Sequence, residues 1–230
     1  RLDTAVETIR SLRPALVFLC NPNNPTGVLL GPEELERIAD ATGDGLLVLD
    51  EAYIPLSDSP WDAAPLLEGG NVALLRSMTK DHALAGVRLG YLLAMEQVIK
   101  RVRRLQPSWS VSSIAQAAGV AALSDHGHVK RAREAIARGK ACLERDLKRL
   151  GVPALPSSAN FLLSEVGDAA GLRSAMLRRG VCVRDCASFG LPRHIRISVR
   201  TPEECRHFVD ALEDAFEERS AGRQGNGAEE

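Results

Sequence analysis

Lys80 is the residue of this sequence with the clearest capacity for chemistry. It ends the run Ser77-Met78-Thr79-Lys80, small residues follow it, and Arg88 comes eight positions later. A lysine in such a loop is usually a solvated charge. A lysine acts as a nucleophile when an apolar setting lowers its pKa and when neighbouring groups hold its electrophile still. The rest of the chain must supply those groups.

Two other stretches carry polar side chains that could serve a lysine. The run N-P-N-N-P-T-G, residues 21–27, follows the apolar residues 15–20, and D-E-A-Y, residues 50–53, follows the apolar residues 46–49. Turn formation alone would explain part of the first run, and a helix cap would explain Asp50. Seven turn-forming residues in a row, however, favour a rigid loop that presents an amide. A buried carboxylate normally needs a cationic partner, and Tyr53 offers a hydroxyl three residues away.

The elements around these residues predict an α/β fold. Residues 15–50 read as a strand–loop–helix–strand unit, since continuous apolar runs are typical of strands buried on both faces of a parallel sheet. Further strands are predicted at 72–75, leading directly to Lys80, and at 89–94. Ligands gather at the carboxyl ends of parallel strands, and both the Asn-rich loop and Asp50 fall at such ends.

The pattern divides into a large region, 1–106, and a second region of interdomain helices and a small α+β domain, 107–218. Short predicted strands at 161–164, 181–183 and 195–199 alternate with helices in that second region. The final segment, 219–230, is rich in Gly, Ala, Glu and Arg and is predicted to be disordered. The chain starts without methionine in what reads as a helix, so we expect the large domain to be incomplete at its N-terminus.

Composition excludes several classes of protein. The 230 residues carry a net charge of −1 and 4% aromatic residues, which indicates neither a nucleic-acid nor a membrane-surface partner. No apolar run reaches the roughly 20 residues that span a bilayer. The five cysteines are scattered and odd in number, so zinc is not expected and a reduced, cytoplasmic setting fits best.

Four motifs together resemble a known family. N-P-N-N-P-T-G, L-D-E-A-Y, S-M-T-K-x7-R-L-G-Y and I-R-I-S-V occur in this order, and the chain resembles the fold-type I, class I/II aminotransferases over about residues 1–218. The resemblance implies pyridoxal 5′-phosphate as cofactor and amino acids and 2-oxo acids as substrates. It also implies a mostly parallel sheet flanked by helices, a smaller C-terminal α+β domain, and a homodimer.

The same resemblance implies roles for four residues around the cofactor ring. Lys80 would form the internal aldimine and then carry the proton between Cα and C4′. Asp50 would pair with the pyridine nitrogen and keep it protonated, which makes the ring an electron sink. Asn24 and Tyr53 would donate hydrogen bonds to the phenolic oxygen of the ring.

Anion-binding residues are implied in the same way. Ser77 and Arg88 would hold the cofactor phosphate, with Thr79 as a further candidate beside the lysine. Arg196 would bind the substrate α-carboxylate through two parallel bonds, and Asn160 is a second candidate for that group. An exposed strand arginine is the plain alternative for Arg196. Its two isoleucine neighbours must face the core, however, which turns Arg196 to the other face.

The motifs leave three activities open. The run S-x-T-K-x-x-A-L-A-G-x-R-L-G-Y resembles histidinol-phosphate aminotransferases, whereas residues 107–111 and 183–189 resemble the threonine-phosphate decarboxylases of cobalamin synthesis. A truncated, non-catalytic module that binds the cofactor is the third alternative. The retained Lys80, Asp50, Tyr53 and Arg88 favour an enzyme, and the aminotransferase is the commoner activity.

Overall fold

Two compact units make up the chain in this computed structural model. The structure describes residues 1–225, and the surroundings of the side chains of residues 1–218. The first unit contains residues 1–24 and 28–132, and the second contains residues 25–27 and 133 onward. Among the described residues, no helix is long and apolar enough to cross a membrane.

The first unit is built on a four-stranded sheet in the order β1-β2-β3-β4. β1, β2 and β3 run parallel, and β4 is antiparallel to β3. This mostly parallel sheet with flanking helices confirms the α/β prediction. The elements of the unit are α1 (Leu2–Leu12), β1 (Leu16–Cys20), α2 (Pro32–Thr42), β2 (Leu46–Asp50), β3 (Val72–Ser77), α3 (Met78–Asp81), β4 (Gly90–Ala94), α4 (Glu96–Leu105) and α5 (Ser113–Ser124).

Helices α1 and α2 form a core with one face of this sheet. Leu35 of α2 is fully buried, as are Leu47 and Leu49 of β2 and Leu74 of β3. Because strand side chains alternate between faces, residues 48 and 50 of β2 lie on the opposite face. Helix α2 starts with Pro32 in its first turn and with Glu34 accepting the Gly31 N–H at 2.8 Å.

The second unit has its own antiparallel sheet in the order β5-β7-β6. Its strands are β5 (Phe161–Glu165), β6 (Arg184–Cys186) and β7 (Leu191–Ser198). Its helices are α6 (His128–Arg149), which begins in the first unit, α7 (Ala169–Arg178) and α8 (Pro202–Gly225). Leu147, Leu162, Ile195 and Leu212 bring these helices and strands together in one core. The strand predicted at 181–183 lies instead at 184–186, because the Val181 N–H completes the end of α7 by donating to Met176.

Helix α5 belongs to the first unit, and the division by contacts falls at 132/133. The predicted domain boundary at 106/107 stays a prediction. Gly119 of α5 lies so close to the start of β4 and to α3 that a Cβ there would be 2.5 Å from the side chain of Leu89 and 3.8 Å from Met78. Helix α8 continues to Gly225 and thus into the segment 219–230 predicted to be disordered. Residues 226–230 of that segment lie outside the described residues.

Candidate active site

Asp50 lies at the carboxyl end of β2, directly opposite Cys20 at the end of β1. Its Oδ1 accepts the Ala52 N–H at 3.0 Å, and its Oδ2 faces the Cys20 thiol at 4.0 Å. Burial raises the pKa of the Cys20 thiol, and the negative charge of Asp50 raises it further. The two groups therefore share a half-buried position, in which neutral donors contact the carboxylate.

The Asn-rich loop is closed by its first residue, Asn21, which is completely buried. The Asn21 side chain donates to the Leu30 carbonyl at 3.1 Å and accepts the Leu30 N–H at 2.8 Å. The Asn23 N–H donates to Val28 across the loop at 2.8 Å. These hydrogen bonds close the loop, and Asn24 is half-buried within it beside the end of β1. The structural role of Asn21 was missed by the sequence analysis.

Lys80 lies in the short helix α3, which follows β3 directly. Its Nζ is 5.8 Å from the centroid of the Tyr53 ring, and its side chain is exposed. Ser77 caps α3 by accepting the Thr79 N–H on its Oγ at 3.2 Å. Since β1, β2 and β3 are parallel, Asn24, Asp50, Ser77 and Lys80 all lie at one edge of the sheet.

Arg88 lies in the turn before β4, with its backbone in the left-handed region at φ 55°. Its guanidinium donates to the Ala85 carbonyl at 3.0 Å, and its side chain is exposed. The roles of Arg88, Ser77 and Thr79 toward a phosphate group stay predictions.

Two polar side chains beside Lys80 lie on the buried side of α3, and neither Oδ1 of Asp81 nor Nδ1 of His82 has a hydrogen-bond partner among the described residues. Asp81 is 8% exposed, and its Oδ1 lies 3.2 Å from Nδ1 of His82. The His82 ring stacks on His128, with ring centroids 5.7 Å apart. Helix α3 has only four residues, so its position depends on such tertiary contacts rather than on its own stability.

An ion pair between Glu51, which follows β2, and Arg76 of β3 links the ends of these two strands. Glu51 is 1% exposed and accepts from Nε of Arg76 at 2.8 Å. Burial raises the pKa of Glu51, and the hydrogen bond and charge of Arg76 oppose that rise. Glu51 lies within the motif L-D-E-A-Y, where the sequence alone assigns it no role. It holds in place the strands that carry Asp50 and Ser77.

Arg196 in β7 pairs in register with Leu163 of β5 and with Arg184 of β6. Its guanidinium carbon lies 5.2 Å from the centroid of the Phe161 ring. A cavity of about 260 Å³ in the second unit is lined by Arg173, Cys182, Val183, Arg184, Arg196 and Ser198. Arg184 was not predicted from the sequence, because the predicted strand 181–183 ends before it and its pairing with Arg196 depends on the register of β6 against β7.

Asn160 immediately precedes β5. Its backbone carbonyl accepts the Val199 N–H at 3.0 Å, which joins the start of β5 to the end of β7. Its side-chain Oδ1 is buried and has no hydrogen-bond partner among the described residues. Asn160 and Arg196 thus belong to the second unit, whereas Lys80, Asp50, Tyr53 and Asn24 belong to the first.

The sequence model of the family "Aminotransferase class I and II" matches residues 1–212. The chain belongs to this family. Among its curated relatives, the histidinol-phosphate aminotransferase of Symbiobacterium thermophilum is 44% identical over 209 residues, which cover 88% of this chain and 57% of the relative. The histidinol-phosphate aminotransferase of Haloarcula marismortui is 39% identical over 207 residues, which cover 90% of this chain and 57% of the relative.

Solved structures with the same fold include relatives of two activities. Histidinol-phosphate aminotransferase from Sinorhizobium meliloti, in complex with pyridoxal-5′-phosphate, is 29% identical with a TM-score of 0.86, covering 95% of this chain and 61% of that one. L-threonine-O-3-phosphate decarboxylase from Porphyromonas gingivalis is 30% identical with a TM-score of 0.79, covering 88% and 64%. The chain therefore spans about three fifths of the length of these proteins.

Proposed function

We propose that this protein acts as a pyridoxal-phosphate-dependent aminotransferase of the histidinol-phosphate type, with Lys80 as its Schiff-base lysine. The observation that carries the proposal is the placement of Asp50 and Lys80 at the carboxyl ends of the adjacent parallel strands β2 and β3. Family membership and the curated relatives support the same activity.

The donor set fits the proposed cofactor. When bound, pyridoxal phosphate supplies an aldehyde for an amine and a pyridinium ring that withdraws electrons. Asp50 is a half-buried carboxylate contacted by an N–H and a thiol, which suits a cationic ring nitrogen. Lys80 presents its amine near the Tyr53 ring, and Asn24 adds an amide at the same sheet edge.

Each of these residues then has a defined task. Asp50 holds a proton on the ring nitrogen through a charge-assisted hydrogen bond. Nζ of Lys80 would take the proton from the substrate Cα and pass it to C4′ of the cofactor. Tyr53 and Asn24 donate hydrogen bonds to the ring oxygen, and Ser77, Thr79 and Arg88 are proposed to hold the cofactor phosphate.

The cavity lined by arginines in the second unit supports the proposal that the substrate carries an anionic group. Histidinol phosphate bears its phosphate where an α-amino acid bears its carboxylate, so one site must accept both groups in the two halves of the reaction. Arg196 and Arg184 line one cavity and present the planar donors that bind carboxylate and phosphate. We propose that Arg196 binds this group, with Asn160 as a second contact.

The absorption spectrum of the protein with its cofactor tests the proposed role of Lys80 as the Schiff-base lysine. Protein supplied with pyridoxal phosphate should show the visible absorption of the lysine-bound cofactor, and Lys80→Ala should abolish that band. Lys100→Ala, at an exposed lysine paired with Glu96 at 2.9 Å in α4, is the matched control and should keep it. A folded Lys80→Ala protein that retains the band would refute the assignment.

A substrate comparison separates the alternatives. The aminotransferase should convert histidinol phosphate with 2-oxoglutarate, whereas CO₂ release from threonine phosphate would favour the decarboxylase, which the Porphyromonas gingivalis structure supports at 30% identity. A visible band without turnover of either substrate would identify a non-catalytic cofactor-binding module. The homodimer stays a prediction, which analytical ultracentrifugation can test.

A further inference from the structure

Lys140 is a buried cation that the proposed chemistry does not use. It lies in the middle of α6, only 6% of its surface is exposed, and it points into the second unit. Burial of an ammonium group is costly unless strong acceptors surround it. Its Nζ donates to the backbone carbonyls of Ser157 and Ala159, the latter at 3.2 Å.

Those two carbonyls belong to the loop that leads into Asn160. Within that loop the Ser157 Oγ donates to the Phe161 carbonyl at 2.7 Å and accepts the Ala159 N–H at 3.2 Å. The Ser158 N–H donates to the Gly27 carbonyl at 2.8 Å. The loop is therefore a compact turn, and Lys140 donates hydrogen bonds to two of its backbone carbonyls.

The residue after this turn, Asn160, has an incomplete set of hydrogen bonds among the described residues. Asn160 is fixed through its backbone by Val199, while its buried Oδ1 has no partner among the described residues. A buried amide oxygen without a partner is costly in a native protein. A ligand that supplies the missing bond would explain why the turn is held so firmly.

We infer that Lys140 is a positioning residue, which fixes the turn 157–159 so that the Asn160 amide meets the anionic group of the substrate. The inference rests on the proposed function, because it assigns Asn160 to the substrate. A cation is suited to this task, since one ammonium group gives charge-assisted hydrogen bonds to two carbonyls at once. Without it, both carbonyls would lose this donor, the buried Ala159 carbonyl among them, and the turn would open.

Lys140→Met tests the inference, because it keeps the apolar stem and removes every donor. We expect KM for histidinol phosphate to rise between about tenfold and a hundredfold, as for a misplaced contact group. The visible cofactor band should be unchanged, since Lys80 and Asp50 lie in the other unit. Lys140→Arg, which restores a cationic donor, should recover most of the affinity. Lys148→Met, at an exposed lysine of the same helix, is the matched control.

Two further measurements separate positioning from general loss of structure. Hydrogen exchange of residues 157–161 should accelerate in Lys140→Met, with the core of α7 and α8 unchanged. In an Asn160→Ala background, Lys140→Met should raise KM no further, because the two residues act through one contact. Where the methionine variant does not fold, Lys140→Gln takes its place in both measurements.

The outcomes distinguish this inference from the proposed function. A folded Lys140→Met protein with unchanged KM and unchanged exchange at 157–161 overturns the inference. Additive effects of Lys140→Met and Asn160→Ala overturn it as well. Failure of the wild-type protein to bind the cofactor or to turn over substrate overturns the proposed function instead, and the exchange measurement still reports whether Lys140 holds the turn.

Discussion

Arg76→Met should destabilise the protein by leaving a buried carboxylate without its cation. Glu51 is 1% exposed and bonds to Nε of Arg76 at 2.8 Å, and its other oxygen, Oε1, has no hydrogen-bond partner among the described residues. Loss of one member of a buried pair costs about 3–5 kcal/mol. The Arg76 side chain is 23% exposed, so solvent screens part of the interaction and we expect about 2–4 kcal/mol.

The pH dependence of that loss has a definite sign. Burial already raises the pKa of Glu51 above its ordinary value of 4.5, and Arg76 opposes the rise, so Arg76→Met should raise it further. An acid with a raised pKa in the folded state is penalised fully above that pKa and not at all below its unfolded value. The deficit of Arg76→Met relative to wild type should therefore shrink as the pH falls toward 4.5.

Urea unfolding of wild type, Arg76→Met, Glu51→Gln and the double variant, at alkaline and mildly acidic pH, measures these quantities. Glu51→Gln should restore much of the stability that Arg76→Met loses, because the buried charge is gone. The third member of the network, Asp62, has a side chain that is 69% exposed, so its own pairing with Arg76 contributes little. A deficit below about 1 kcal/mol, or one that does not change with pH, would refute the reasoning.

Two more predictions follow from contacts near the candidate residues. Burial, and after it the negative charge of Asp50, raises the pKa of the Cys20 thiol above its ordinary 9.0. Asp50→Asn removes that charge, so it should speed alkylation of Cys20 near pH 8 in a background whose other accessible cysteines are serine; an equal or slower rate in a thiol-labelling assay contradicts this. Gly139→Ala should lower thermal stability by about 1–3 kcal/mol, since its Cβ would lie 2.1 Å from the Arg200 carbonyl oxygen. The better helix propensity of alanine offsets only about 1 kcal/mol, and a stabilised variant would be incompatible with that packing.

The sequence predicts the position of a site residue when that residue directly follows an apolar run that forms a strand. Apolar runs that end in Asp50 or lead to Lys80 place these residues at strand ends, and parallel pairing then brings them to one edge. Arg184 could not be placed in this way, because its pairing with Arg196 depends on the register of β6 against β7. That register shifts between Asp185 and Cys186, and such a shift depends on tertiary packing.

Buried ion pairs and buried cations are harder to predict for a similar reason. Glu51 and Arg76 are 25 residues apart in sequence, and Lys140 and Ala159 are 19 apart. Lys140 sits in a helix rich in Lys and Arg, where a solvated charge is the normal expectation. Only the fold shows which of these cations faces inward. The boundary between the units also depends on packing, since the absence of a side chain at Gly119 lets α5 pack closely against Leu89 and Met78.

The consecutive acids Asp50 and Glu51 have different roles because of strand geometry, one suited to binding a ligand and the other to stabilising the fold. Side chains alternate between the two faces of a strand, so neighbouring acids point in opposite directions. Leu75 lies opposite Asp50 in the β2–β3 register, and the next residue, Arg76, therefore reaches Glu51 on the other face. One carboxylate is neutralised within the fold and ties two strands together. The other meets a thiol and an N–H, which leaves it the acid suited to a cationic ligand at the strand ends.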